Sequence, residues 1–308
     1  MRVAIMGSGG VGAYVGARLQ AASEQVAFIA RGAHLRALRA DGLRIEHPQH
    51  PLQLPEVQAT DSPADVGPVD LVIFAVKLWD TETAARQMAP LVGEGTRVLT
   101  LQNGIDSVAL LSRHVEPTRV RGGVIYVSAV IDRPGVIRSP GGLHQIVADA
   151  AQGDPVMAAF AAAGQRGEGL GVTLSDAISR VTWEKFVALS SLSAATALLR
   201  SSMGPILANP ETRVLQRQLV DEAISVAQAA GQPMRNDLGD EVMAELGGMP
   251  PSFRASMAED LERGGRLELD WLSGRVHTLG QQLGVPTPAH STAYRALVLH
   301  KDGRPTAT

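Results

Sequence analysis

Within its first twelve residues the chain commits to one kind of local architecture. Arg2-Val3-Ala4-Ile5-Met6 is a short apolar run, Gly7-Ser8-Gly9-Gly10-Val11-Gly12 follows without a spacer, and a helical pattern occupies 13–22. Strand, side-chain-poor turn and helix thus succeed one another. A second strand is expected at 25–30, the distance a parallel crossover needs. Shorter strands are expected near 43–46 and 57–60, and the continuous apolar stretch 69–76 suits a strand covered on both faces. A helix is expected over 81–91 and a strand over 96–101, ending at Gln102-Asn103-Gly104. From 120 to 148 strands are broken by Pro134-Gly135 and Pro140-Gly141-Gly142, which predicts an antiparallel finish to the sheet.

Beyond Ser175 the period changes from strand to helix. Long helical patterns cover about 176–200, 210–230, 253–263, 268–283 and 287–300, separated by Gly- and Pro-containing breaks. A chain of 308 residues is about twice the usual domain size, so two domains are expected, an α/β dinucleotide-binding domain over 1–172 and an all-α domain over 173–308. Ligands of such sheets bind beyond the carboxyl ends of the strands, so the expected site is the cleft between the two domains.

Composition removes several function classes. A formal net charge of -3 and the absence of a basic run interleaved with aromatics argue against nucleic-acid coating. Without Cys there are no disulfides, thiolate nucleophiles, Cys-based zinc sites or iron–sulfur ligation. The eight His show no zinc-binding spacing, His47 and His50 falling in a Pro-rich loop, so no metal is expected. No Gly-x-Ser-x-Gly elbow occurs. No run of about 18 apolar residues or targeting segment is seen, which makes the cytoplasm the expected location and a membrane partner unexpected.

The chemistry-bearing residues are few. Gly7-x-Gly9-x-x-Gly12, placed between strand and helix, lets a pyrophosphate reach the backbone N–H groups of 7–12 and the positive end of the helix dipole; the rival reading is a tight turn. At the end of the second strand, where an acidic residue would accept from a ribose 2′-hydroxyl, stands Arg31. A guanidinium there can pair with a 2′-phosphate, so NADP(H) is preferred to NAD(H), although a solvated loop Arg also fits. Glu24 precedes the strand and is badly placed for the ribose.

Only three Lys, Lys77, Lys185 and Lys301, stand among the 28 basic residues. Lys can release a proton where Arg cannot. Lys185 lies in Trp183-Glu184-Lys185-Phe186 between core formers; desolvation would lower its pKa and suit it to general-acid work, while snorkelling to solvent is the alternative. Lys77 and Asn103 follow predicted central strands at the lip where ligands gather, although Asn-Gly is also a plain turn dipeptide. Ser256 and Glu268 begin helical patterns, where an acidic residue can serve the dipole alone.

Taken in order, Gly7 to Gly12, Arg31, Val76-Lys77-Leu78-Trp79, Gln102-Asn103-Gly104, Trp183-Glu184-Lys185-Phe186, Ala255-Ser256-Met257 and Leu267-Glu268-Leu269-Asp270 resemble the ketopantoate reductase family over nearly the whole chain. The resemblance implies a Rossmann-type domain followed by a helical one, an arrangement like that of 6-phosphogluconate dehydrogenase. It implies NADPH-dependent reduction of a 2-oxo acid to (R)-pantoate on the route to pantothenate and coenzyme A. It further implies that Lys185 donates the proton, that Glu268 sits at the cofactor–substrate junction, that Asn103 and Ser256 contact substrate, and that Lys77 contacts cofactor. A homodimer is a possible assembly.

Two positions depart from the family. Members carry Asn four and eight residues after the catalytic Lys, where this chain has Leu189 and Ser193. Steps of four and eight keep all three on one helical face, so the pocket wall itself is altered. Losing a buried hydrogen bond costs roughly 1 to 3 kcal/mol, enough to move substrate preference about tenfold. Ser193 can still help hold substrate. Reduction of another branched or aromatic 2-oxo acid and a catalytically silent NADP-binding sensor are therefore the competing readings.

Overall fold

The computed structural model describes residues 1–304 and divides into two compact units, the first Met1–Ile178 and the second from Ser179 onward. The first unit carries every strand among the described residues. They are β1 (Arg2–Met6), β2 (Gln25–Ile29), β3 (Leu43–Glu46), β4 (Leu52–Leu54), β5 (Gln58–Thr60), β6 (Val69–Phe74), β7 (Val92–Thr100), β8 (Val120–Tyr126), β9 (Val130–Arg133), β10 (Val136–Arg138), β11 (Gln145–Asp149) and β12 (Gly171–Ser175).

Eight of these form one sheet in the order β12-β11-β8-β7-β6-β1-β2-β5. All neighbours are parallel except β8 and β11, so the expected antiparallel finish is a single pairing. β1 lies between β2 and β6, and the strand order reverses there, which makes its carboxyl end a topological switch point. β3 falls where a strand is expected, and β9 and β10 flank the expected break at Pro134-Gly135, but they join β4 in a separate four-stranded sheet, β4-β3-β10-β9, rather than finishing the main one. β4, with three residues, leaves too few alternations to register.

Successive side chains of β1 point to opposite faces, and both faces are covered. Val3 and Ile5 join Tyr14, Leu19, Phe28, Leu71, Ile73, Leu99 and Phe160 in one core. Ala4 and Met6 join Ala27, Ile29, Val72, Phe74 and Val98 in the other. Apolar runs in β1 and β6 follow from this double burial. Helices α1 (Gly10–Ala21), α2 (Gly32–Asp41), α3 (Thr81–Gln87), α4 (Ser107–Leu111) and α5 (Pro155–Arg166) belong to this unit. The helix expected over 81–91 stops at Gln87 and gives way to a 3-10 turn around Pro90, which lacks the N–H that a helix interior needs.

The second unit is helical: α6 (Ile178–Leu198), α7 (Met203–Ala208), α8 (Pro210–Ala229), α9 (Leu238–Gly248), α10 (Ser256–Arg263), α11 (Ser273–Leu283) and α12 (Pro288–Leu297). From Ser190 to Ala197 α6 is buried on every side, the pattern of a helix enclosed by its neighbours. The boundary expected at 172/173 would cut β12, which pairs in parallel with β11 along its full length; the observed division falls six residues later. The last four residues of the expected helical domain lie outside the described residues. Among the described residues no helix is long and apolar enough to cross a membrane.

Candidate active site

The turn from β1 into α1 is held by close approach. Gly7 has φ of 99°, in the left-handed region that favours glycine, and a Cβ there would lie 2.7 Å from Val76 Cγ1. A Cβ on Gly12 would meet the Gly7 carbonyl oxygen at 2.1 Å. One on Gly9 would meet nothing within 4 Å, so the middle of the turn stands open. α1 starts with Gly9 at its N-cap and neither a side-chain cap nor an acidic residue in its first turn. The N–H groups of Gly10, Val11 and Gly12 therefore have no intrahelical acceptor, and the dipole favours an anion there. This bare, open helix start fits a diphosphate. Ser8 turns inward: it is 4% exposed, its N–H donates to Ile29 O at 3.0 Å and its Oγ to Ile5 O at 3.4 Å.

Arg31 follows β2, is exposed, and donates from Nη2 to Gln87 Oε1 at 2.6 Å. Glu24 is buried at the other end of β2, where it takes the Met1 amine at 2.6 Å and a bond from Arg166. It is thus committed elsewhere. Lys77, past the end of β6, is exposed with Nζ 5.6 Å from the Trp79 ring centroid. Asn103 is half-buried after β7, with Gly104 at φ of 84° closing the turn.

Gln102, which the sequence does not single out for a role, ties these turns together. Its Nε2 donates to Val76 O at 2.9 Å and Thr81 Oγ1 at 2.8 Å. β1, β6 and β7 are neighbours in the sheet, so the glycine turn, the Lys77 turn and the Asn103 turn gather at their carboxyl ends. A Gln in a loop leaves no periodic signal to find it by.

In the second unit Lys185 lies on α6, whose Trp183 and Phe186 rings meet in a T-shaped pair with centroids 5.7 Å apart. Burial pushes its pKa down from 10.5 to about 8, and the Glu268 carboxylate opposes part of that shift. Lys185 is half-buried, and the downward shift favours a desolvated ammonium over one that snorkels to solvent. Glu268, 7% exposed, stands in the link between α10 and α11 and makes no side-chain capping bond. The helix expected over 268–283 begins only at Ser273, after a 3-10 turn at Leu269–Trp271 and a Leu272 whose φ of -111° and ψ of -101° break the helix. Long-range contacts override the periodicity: Leu267 N donates to Lys301 O at 2.8 Å, and Lys301 Nζ to Asp270 Oδ2 at 2.8 Å. Glu268 therefore does not open α11, the helix whose dipole it would serve.

Leu189 and Ser193 share the Lys185 face of α6. Leu189 is half-buried, whereas Ser193 is 1% exposed and its Oγ has no hydrogen-bond partner among the described residues. Thr196 and Ser191 on the same helix bond back to carbonyls of the preceding turn, so Ser193 is the exception. Ser256 opens α10 with an exposed side chain. Among the described residues no three His, Cys, Asp or Glu side chains converge as a metal site; His47 instead bonds His144 through their Nε2 atoms at 2.9 Å.

A bare helix start at a switch point, followed in the chain by a helical unit with a desolvated Lys set against a buried Glu, defines the class of two-unit dinucleotide-binding oxidoreductases. Residues 3–152 match the family described as ketopantoate reductase PanE/ApbA, and residues 177–301 its C-terminal counterpart. The chain belongs to the ketopantoate reductase family. It is 30% identical to a 2-dehydropantoate 2-reductase of Mesorhizobium japonicum, covering 94% of both chains, and 31% identical to one of Halobacterium salinarum, covering 95% of this chain and 96% of that one. The crystal structure of a PanE/ApbA family ketopantoate reductase from Ralstonia eutropha superposes with a TM-score of 0.88 at 33% identity over 98% of each chain. The family is one of oxidoreductases, and this sets aside the catalytically silent reading.

Proposed function

We propose that the protein reduces 2-dehydropantoate to (R)-pantoate with NADPH, as a step toward pantothenate and coenzyme A. The observation that carries this reading is Lys185, an ammonium withdrawn from water beside Glu268, on a helix that also carries the Ser193 hydroxyl, which has no partner among the described residues. A bound nicotinamide cofactor would supply a hydride to the carbonyl carbon. Backbone amides of Gly10, Val11 and Gly12, with the open backbone of Gly9, receive its diphosphate, and Arg31 its 2′-phosphate. Lys77 contributes a cation beside the cofactor.

Lys185 Nζ gives a proton to the carbonyl oxygen as negative charge develops there, so the charge is met by a cation already in place. Glu268 favours the protonated amine and fixes its position. Asn103, Ser193 and Ser256 hold the polar ends of the substrate. Buried without a partner among the described residues, the Ser193 hydroxyl would gain one from substrate, which makes it the best supported of the three.

A second reading, reduction of a 2-oxo acid with a branched or aromatic side chain, is favoured by the half-buried Leu189 one turn from Lys185. Following NADPH absorbance with a panel of 2-oxo acids separates the two. Turnover of 2-dehydropantoate well above the rest is expected; an apolar 2-oxo acid as the best substrate would replace the first reading with the second.

A further inference from the structure

The link that carries Glu268 is clamped from behind by the end of the chain. α10 ends at Gly264, whose φ of 72° turns the backbone out of the helix, and Gly264 O accepts from Arg304 N at 2.9 Å. On one side of Glu268, Leu267 N donates to Lys301 O at 2.8 Å. On the other, Asp270 takes the Lys301 ammonium at 2.8 Å and a hydrogen bond from the Tyr294 hydroxyl. Tyr294 is itself stacked on His277, with ring centroids 5.4 Å apart. One residue, Lys301, thus grips the link through its backbone at 267 and through its side chain at 270.

These contacts straddle Glu268 on both sides and account for the 3-10 turn that replaces the first turn of α11. Without them the periodicity of 268–283 would let the helix start earlier and rotate the carboxylate. We infer that Lys301 and Asp270, with Tyr294 behind them, are positioning residues that hold the Glu268 carboxylate against Lys185. The inference rests on the reductase reading only for its kinetic consequence, because the clamp and the Lys–Glu pair lie within the helical unit.

The charged and titratable groups along this line are Glu268 facing Lys185, Lys301 and Tyr294 facing Asp270, Asp302 near Lys301, and His277 against Tyr294. Arg266 pairs with Asp302 at 3.7 Å. Releasing Glu268 removes the influence that favours the Lys185 ammonium, so Lys185 should lose its proton at lower pH.

The test uses the full chain, its Lys301→Met, Lys301→Arg and Tyr294→Phe variants, and a Lys185→Ala control. With three Lys in the chain, selective ¹³C-lysine labelling gives a spectrum in which the Lys185 Cε titration can be followed without ligand. In Lys301→Met the Lys185 titration and the alkaline limb of kcat/KM should both move to lower pH. Its kcat with NADPH and 2-dehydropantoate should fall about tenfold with the KM for NADPH unchanged, a loss typical of misplacing a catalytic group. Lys301→Arg should restore much of this, and Tyr294→Phe should shift the titration in the same direction by less. An unmoved Lys185 titration in folded Lys301→Met, or in Tyr294→Phe if Lys301→Met does not fold, overturns the inference even where melting temperature drops. Full activity in Lys185→Ala would instead overturn the reductase mechanism and leave the titration result to decide on the clamp.

Discussion

At the scale of single residues, Lys185 concentrates the chemistry. Burial has brought its pKa down to about 8, and the sign of the consequence follows directly. The reducing direction consumes the ammonium, so kcat/KM should be full below that value and decline as pH rises through it; oxidation of the hydroxy acid, which needs the neutral amine, should rise over the same range. A pH profile flat from 6 to 10, roughly the range spanned by the ordinary His and Lys values, would contradict this. Arg31 acts on cofactor choice. Its guanidinium donates to Gln87 at 2.6 Å and remains exposed. Arg31→Ala should weaken NADPH binding by about tenfold to a hundredfold and leave NADH nearly unchanged, as expected for removing one charge-assisted pair; equal losses for both would exclude a phosphate contact.

At the scale of elements, the turn into α1 and one face of α6 do most to define the site. Gly12→Ala would drive a Cβ to 2.1 Å from the Gly7 carbonyl oxygen, a backbone atom that cannot step aside. Cofactor affinity should drop at least tenfold, and folding stability by about 1 to 3 kcal/mol as in other overpacked sites; fluorescence titration with NADPH and thermal melts read both. Leu189→Asn places an amide one turn from Lys185. It should raise activity on 2-dehydropantoate relative to 2-oxo acids with purely apolar side chains by about tenfold, and an unchanged ratio would remove position 189 from the pocket. The glycine turn was legible because its constraint is local: a strand, a bare turn and a helix within some twenty residues. The setting of Glu268 was not legible. Periodicity put it on a helix, whereas Lys301, more than thirty residues away, holds it in a 3-10 turn, and no pattern along the chain reports that contact.

At the scale of the whole molecule, the shift from alternating strands and helices to helices alone announced two units. It placed the boundary at 172/173, six residues before the observed division after Ile178. Strands at 43–46 and on either side of Pro134-Gly135 were legible, but their assembly with β4 into a second small sheet was not, because β3 and β10 pair across a long stretch of chain that carries no signal of the contact. The glycine turn, Arg31 and Lys77 fall in the first unit, Lys185 and Glu268 in the second. The most direct test of the proton-transfer role is Lys185→Ala assayed with NADPH and 2-dehydropantoate, alone and with added ethylammonium. A proton-donating Lys185 predicts a loss of about a hundredfold to ten-thousandfold in kcat, with NADPH affinity retained and activity partly restored in proportion to the added ammonium. Turnover within a few-fold of the unaltered enzyme would contradict it.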